Sequence, residues 1–303
     1  MASDNSLVSV VVPAWNAEAT LRETLESAAS QTHRAIEILI IDDGSSDTTA
    51  TVAAQFCAVE PRARLIRQRN RGVAAARNRG IAEAKGQFIA PLDADDLWHP
   101  EKIQRQLATF RESSARTGLV YCWYRMIDER GLVCERSWAP IMEGHVFDRH
   151  LDLNFGTGSS PLIRRSALGD LRYDPALQRA GNEGCEDWLL QLQIALRFEV
   201  ACSRAFLLGY RKRAGSMASD HLRMIRSQIQ MYEILLRQVP PEKARMVRGA
   251  LERLQEPKRR RPQIRAMLGR IRAILPPQRL DYHPLGVPFF ESLTIWQSER
   301  AAG

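Results

Sequence analysis

Unbroken apolar runs, separated by stretches of helical periodicity, give the chain its plan. Residues 7–12 form a β-branched run that ends at Pro13, and residues 36–41 a second one that ends in Asp42-Asp43-Gly44-Ser45-Ser46-Asp47. Runs of this length without alternation read as strands buried on both faces, the habit of parallel sheets. Between them, residues 17–31 place Leu21, Leu25 and Ala28/Ala29 on one helical face. Residues 48–56 read as a helix with Ser46 or Asp47 at its N-cap, residues 64–67 as a third short strand, and the Ala-rich residues 73–85 as another helix. A fourth apolar run, residues 88–92, stops abruptly at Asp93, Asp95 and Asp96.

Such alternation predicts βαβ units: an α/β protein with a Rossmann-like, mostly parallel sheet sandwiched by helices. In these sheets ligands bind beyond the C-terminal ends of the strands. Three strand ends carry distinctive polar groups, at residues 13–16, 42–47 and 93–96, and all three should meet at one edge. After Pro100 the pattern loosens. It predicts a helix at 101–112, hairpin strands at 118–126 and 132–137, and an irregular stretch at 141–153. A Gly/Ser loop at 155–160 precedes a short strand at 161–164, residues 183–197 hold a helix, and residues 221–239 form a long amphipathic helix.

Three clustered carboxylates repel one another. Two readings stand for residues 93–96: a polar turn capping the helix that begins near Pro100, or a site for a hard divalent cation with oxygen ligands. Composition narrows other choices. Hydrophobic content of 45% and charged content of 26% are ordinary for a globular protein. No run approaches the ~18 apolar residues of a membrane span, and the polar start is not expected to be a signal peptide. Five cysteines without a Cys-x-x-Cys pair read as reduced residues of a cytoplasmic protein, neither a disulfide framework nor a zinc site. The net charge of +8 is concentrated at the end, where residues 257–303 hold nine Lys/Arg against three Asp/Glu. The basic balance therefore says little about what the main domain binds, and nucleic acid is not an expected partner.

Taken together, Val8-Ser9-Val10-Val11-Val12-Pro13-Ala14-Trp15-Asn16, Ile41-Asp42-Asp43-Gly44-Ser45-Ser46-Asp47-Thr48, Asn70-Arg71-Gly72-Val73-Ala74-Ala75-Ala76-Arg77-Asn78, Leu92-Asp93-Ala94-Asp95-Asp96 and Glu186-Asp187-Trp188 occur in order. In this the chain resembles the family 2 glycosyltransferases, inverting nucleotide-sugar enzymes of the GT-A fold, over about residues 7–220. The resemblance implies that Pro13 and Trp15 line the nucleobase pocket, that Asp42 or Asp43 accepts from the base, and that Arg77 reaches the nucleotide. It further implies that Asp93-Ala94-Asp95 meets the diphosphate, with Asp93 and Asp95 holding Mn²⁺ or Mg²⁺ and Asp95 the favoured direct ligand. Asp96 stands behind them or caps. Asp187 matches the family's general base, with Glu186 orienting the acceptor or that base; the other reading of both is favourable charge at a helix N-terminus. Many relatives carry Tyr-Arg-x-His where this chain has Tyr210-Arg211-Lys212-Arg213. Arginine cannot ligate a metal, so Arg211 or Arg213 is expected to clamp the diphosphate instead.

The expected organisation is a catalytic domain at 1–220 and a helical extension at 221–303. Within the former, residues 1–100 form a nucleotide-binding half and residues 101–220 an acceptor half. In the extension, residues 257–280 have eight basic and no acidic residues, with Ile264, Met267, Leu268, Ile271, Ile274 and Leu275 on one helical face. That pattern suits contact with a membrane surface or packing on the domain. The expected function is metal-dependent transfer from a nucleotide sugar, most often a UDP-sugar in this family, to a saccharide or lipid-linked acceptor. It would serve polysaccharide or glycoconjugate synthesis, in the cytoplasm or at the inner face of the membrane. A catalytically silent nucleotide-binding scaffold of the same fold is the alternative.

Overall fold

The computed structural model describes residues 5–135, 139–179, 184–212, 221–255 and 285–290. Strands β1 (Val8–Ala14), β2 (Ile36–Asp42), β3 (Ala63–Arg67) and β4 (Phe88–Pro91) lie parallel in the order β3-β2-β1-β4. β1 and β2 are buried along nearly their whole length, as their unbroken β-branched runs require, whereas the edge strand β3 stays half-exposed. Ala14 pairs with Asp42 and Val11 with Pro91, so the loops leaving β1, β2 and β4 emerge along one edge. Helices α1 (Leu21–Ala29), α2 (Thr49–Val59) and α3 (Val73–Glu83) make the crossovers. α3 is built of small residues because it lies directly on β1: a Cβ on its Gly80 would collide with Val11.

The sheet continues as β4-β7-β6-β8-β5, with β5 (Leu97–Trp98), β6 (Thr117–Ile127), β7 (Leu162–Arg164) and β8 (Glu199–Arg211). β7 runs antiparallel to both β4 and β6, and β6 parallel to β8. On one face pack α1, α2 and α4 (Lys102–Glu112), sealing Leu21, Leu25, Phe56, Ile103 and Leu107 against Val10, Val12, Ile38 and Ile40. The other face is covered by α3, α5 (Phe147–Asp152) and α8 (Glu186–Ala195). Short helices α6 (Arg165–Leu168) and α7 (Ala176–Arg179) join them. Each fully buried Leu, Ile or Val there contributes about 1.5–3 kcal/mol.

Helices α9 (His221–Leu236) and α10 (Pro241–Gln255) share that second core through Met231, Leu235, Val247 and Ala250. They are also tied to α5: Tyr232 Oη donates to the Leu151 carbonyl, and Arg253 pairs with Asp152 at 2.6 Å. Of the expected hairpin at 132–137 a short antiparallel contact forms: Val133 bridges Ile127, the Cys134 N–H donates to the Met126 carbonyl at 3.0 Å and the Asp128 N–H to the Leu132 carbonyl at 2.9 Å. Residues 136–138 lie outside the described residues, and the sheet neighbours of β6 are β7 and the distant β8. The basic segment 257–280 and Arg213 also lie outside the described residues.

Candidate active site

The loops leaving β1 and β2 are laced together by side chains. Asn16, at φ +47°, accepts the Ser46 N–H on Oδ1 at 2.9 Å, and its own N–H meets Ser45 Oγ at 3.1 Å. Glu18 Oε2 accepts from Thr48 Oγ1 at 2.6 Å, and the Ala17 N–H donates to Thr49 Oγ1 at 2.7 Å. Asp42 Oδ1 takes the Ser45 N–H, and its Oδ2 takes Arg67 Nε, each at 3.1 Å. Asp43 accepts from Gln68 Nε2 at 2.7 Å, from the Arg71 N–H and, at 2.7 Å, from the Gly72 N–H. It therefore caps the approach to α3, and both carboxylates are buried. Pro13 is buried at the end of β1, while the Trp15 ring stands 58% exposed, offering an aromatic face at the rim.

Deeper in the cleft the α3 residue Arg77 is sealed between two acids. Its Nη2 donates to Asp93 Oδ1 and its Nη1 to Glu186 Oε1, both at 2.5 Å. Its guanidinium lies over the Tyr173 ring at 5.1 Å. Burial disfavours this cation, but the charges of Asp93 and Glu186 outweigh burial and raise its pKa well above the usual value. Sequence reasoning expected Arg77 to reach the nucleotide; instead it joins the loop after β4 to the start of α8, and only 4% of its side chain is exposed. Gly158 presses on this pair, since a Cβ there would stand 2.8 Å from both Arg77 Nη2 and Asp93 Oδ2. The neighbouring Ser159 Oγ accepts the Asp93 N–H at 2.9 Å. The Gly/Ser loop, expected on the acceptor side, thus supports the Asp93 turn as well.

At the start of α8, Cys185 adopts a left-handed φ of +65°, a conformation costing a non-glycine residue about 1–2 kcal/mol. The kink it makes turns Glu186 and Asp187 into the first helical turn. Asp187 is half-buried and accepts the Trp188 N–H at 2.7 Å. Burial and the adjacent Glu186 charge push its pKa up to about 7, against the opposing pull of Arg77. Asp96 is buried too, and burial plus the charges of Asp95 and Asp93 raise its pKa well above the carboxylate range. Its Oδ1 accepts the Arg211 N–H at 3.0 Å, whereas Oδ2 has no hydrogen-bond partner.

Arg211, at the end of β8, is placed behind the cleft. Its Nε donates to the Asp95 carbonyl at 2.7 Å, Nη1 to the carbonyls of Asp128 and Glu129 at 3.0 and 2.8 Å, and Nη2 to Glu23 Oε2 at 2.7 Å. With its side chain fully buried it anchors the 93–96 loop, and this placement does not serve the diphosphate-clamp role expected of it. The Ala94 carbonyl is held by Thr20 Oγ1 at 2.8 Å. Glu23, Thr20 and Tyr173 were not legible as site residues, because none carries a motif of its own.

Among the described residues, no group of three or more His, Cys, Asp or Glu is placed to hold a metal ion. Asp93 and Asp95 are nonetheless only half-buried and offer hard oxygen donors on one loop. Two carboxylates without a complete protein cage suit an ion whose remaining ligands are substrate phosphates and water. The residues present fit such a group.

The glycosyl transferase family 2 model matches residues 9–172, more than half of the 303 residues. A chondroitin synthase of Escherichia coli is 36% identical over 125 residues, which is 41% of this chain and 18% of that protein. Across eight such curated relatives the chain spans 18–48% of their length. In fold the chain is similar to S. aureus TarS 1-349 in complex with UDP-GlcNAc, at a TM-score of 0.65 and 18% identity, covering 82% of this chain and 72% of that one. It is also similar to the mannosyltransferase PcManGT of Pyrobaculum calidifontis in complex with GDP-Man and Mn²⁺, at 0.63 and 17%, covering 97% and 79%. These matches accord with a GT-A architecture, and the chain belongs to glycosyl transferase family 2.

Proposed function

We propose that this protein is an inverting glycosyltransferase that moves a sugar from a nucleotide sugar, a UDP-sugar in the first instance, to an acceptor hydroxyl, with Asp187 as general base. The observation that carries the reading is the position and state of Asp187. It is a half-buried carboxylate at a kinked helix start, pushed up to about 7 and joined through Glu186 and Arg77 to the Asp93 turn. A base poised near the working pH is what proton abstraction from an alcohol asks for.

In the proposed step Asp187 takes the hydroxyl proton as the acceptor oxygen bonds to the anomeric carbon. The bond from that carbon to the phosphate oxygen breaks, and the nucleoside diphosphate leaves on the opposite face. Arg77 and Glu186 keep the two halves of the cleft in register, the Trp15 ring faces the base, and the buried Asp42 sets the loop beneath it. Asp93 and Asp95 would hold Mn²⁺ or Mg²⁺, which supplies Lewis-acid neutralisation of the departing diphosphate. The neighbours' ligands, UDP-GlcNAc in one and GDP-Man with Mn²⁺ in the other, support a nucleotide-sugar donor and a divalent ion. The resemblance to chondroitin synthase supports a saccharide acceptor in polysaccharide or glycoconjugate synthesis.

No helix among the described residues is long and apolar enough to cross a membrane. The basic 257–280 segment makes contact with an anionic inner membrane surface part of this reading, with a lipid-linked acceptor as its corollary; full-length protein that stays off anionic liposomes at low salt would remove that part. The main test incubates the protein with Mn²⁺ and a panel of UDP- and GDP-sugars and follows diphosphate release and product anomer by NMR. Release from one donor, with inverted configuration and loss in Asp187→Asn, is expected. Nucleotide binding without any release would favour the catalytically silent scaffold.

A further inference from the structure

We infer that residues 285–290 are a working part of the donor site: Phe289 braces the back of the 93–96 loop and, through the 128–133 turn and Arg211, holds Asp95 and Asp96 in place. This rests on the reading of that loop as the diphosphate-binding element. Phe289 is 1% exposed and forms a small separate core with Leu97, Ile127 and Val133, whereas its neighbour Phe290 is 41% exposed. Leu97 directly follows Asp96, so the ring packs on the residue that ends the acidic loop. Space for the ring is left by Gly209 on β8, where a Cβ would stand 3.2 Å from it, opposite Leu97 in the sheet.

Backbone bonds fasten the same segment to the turn. The Val133 N–H donates to the Val287 carbonyl at 2.9 Å, the Gly286 N–H to the Val133 carbonyl at 2.8 Å, and the Phe289 N–H to the Gly131 carbonyl at 3.2 Å. The turn is knotted by Asp128, whose Oδ1 accepts the N–H groups of Arg130 and Leu132 at 2.9 Å each. So held, the turn presents the Asp128 and Glu129 carbonyls to the Arg211 guanidinium, whose Nε grips the Asp95 carbonyl, while the main-chain N–H of the same residue donates to Asp96 Oδ1. A guanidinium positions what it holds only as well as its own acceptors are fixed. With the brace gone, the turn would keep the Ile127–Val133 bridge and the Cys134 N–H to Met126 carbonyl bond at 3.0 Å to β6, but would lose the ring packed behind Val133 and Leu97. A segment far along the chain thereby becomes a determinant of donor affinity.

The test uses the full-length chain with Mn²⁺ and calorimetric titration of UDP, GDP, dTDP and CDP, taking forward the one that wild type binds. Phe289→Ala should weaken that binding about three- to tenfold, Phe289→Leu should restore most of it, and amide exchange should speed at Arg211 as well as at Val133. Val247→Ala, a cavity in the α10 core, should lower Tm without moving Kd. Unchanged Kd in Phe289→Ala, or faster exchange at Val133 with none at Arg211, would overturn the inference. Wild-type protein that binds none of the four would overturn the donor-site reading instead, and the Arg211 exchange rate would still decide whether Phe289 holds the loop.

Discussion

Replacing Asp187 by asparagine separates catalysis from stability in a way that depends on pH. Folding lifts the Asp187 pKa from 3.8 to about 7, a change of about three units. At about 1.4 kcal/mol per unit, ionising this group in the native state would cost about 4 kcal/mol if Asp187 alone carried the shift. It shares the effect with Glu186 and keeps contact with solvent, so about 1–2 kcal/mol is the expected size. The native state binds the proton more tightly than the unfolded chain does. Stability due to this group is therefore intact below about pH 4, declines as pH rises toward 7, and is level above that. Asparagine does not titrate. Asp187→Asn should match wild type in Tm near pH 4 and exceed it by about 2–6 °C at pH 8, while turnover falls about 10²- to 10⁴-fold. Thermal melts across pH 4–9, beside diphosphate-release rates for both proteins, make the test. A flat Tm difference across that range, or turnover within about tenfold of wild type, would refute the reasoning.

Four further outcomes follow from the packing. Arg77→Ala strands Glu186 and Asp93 without their shared partner, and the buried Glu186 charge should cost about 3–5 kcal/mol in denaturant melts. Arg77→Lys should recover less than half of that, because one ammonium cannot bridge two carboxylates as a planar fork does. Gly158→Ala would push a methyl group against Arg77 and Asp93 and should cost about 1–3 kcal/mol, with weaker metal-dependent nucleotide binding in the same sample. Lys102 is fully buried beneath the Trp98 ring, and burial lowers its pKa to about 8. Its charge is thus a burden below pH 8 that fades as pH rises toward 10.5, so Lys102→Met should raise Tm at pH 7 and lose that advantage near pH 10.

Much of this architecture could be read from residues near one another in the chain. The runs forming β1, β2 and β4 declared themselves by unbroken burial, and their polar ends meet at one edge as parallel topology demands. What stayed illegible depends on contacts across long separations. β8, interrupted by Ser203 and Arg204, gives no clear strand signal of its own, so residues 132–137 looked like the nearer partner of β6. Arg77 and Arg211 read as ligand-facing cations because an arginine beside acidic motifs is ambiguous until its acceptors are known. In the fold those acceptors are Asp93 and Glu186 for one, and the Asp95, Asp128 and Glu129 carbonyls with the Glu23 carboxylate for the other. The brace from Phe289 had as its signal the apolar Phe289, Phe290, Leu293 and Trp296, which suit a headgroup anchor or packing back on the domain alike and do not say where.

The most direct test of the central claim is calorimetric titration of UDP, with and without Mn²⁺, into wild type and Asp95→Ala. The account predicts binding by wild type that strengthens at least about tenfold with Mn²⁺, and a metal response that disappears in Asp95→Ala while Tm without ligand stays within about 1 °C. Binding equally tight with and without Mn²⁺, or a metal response that survives in Asp95→Ala, would contradict it.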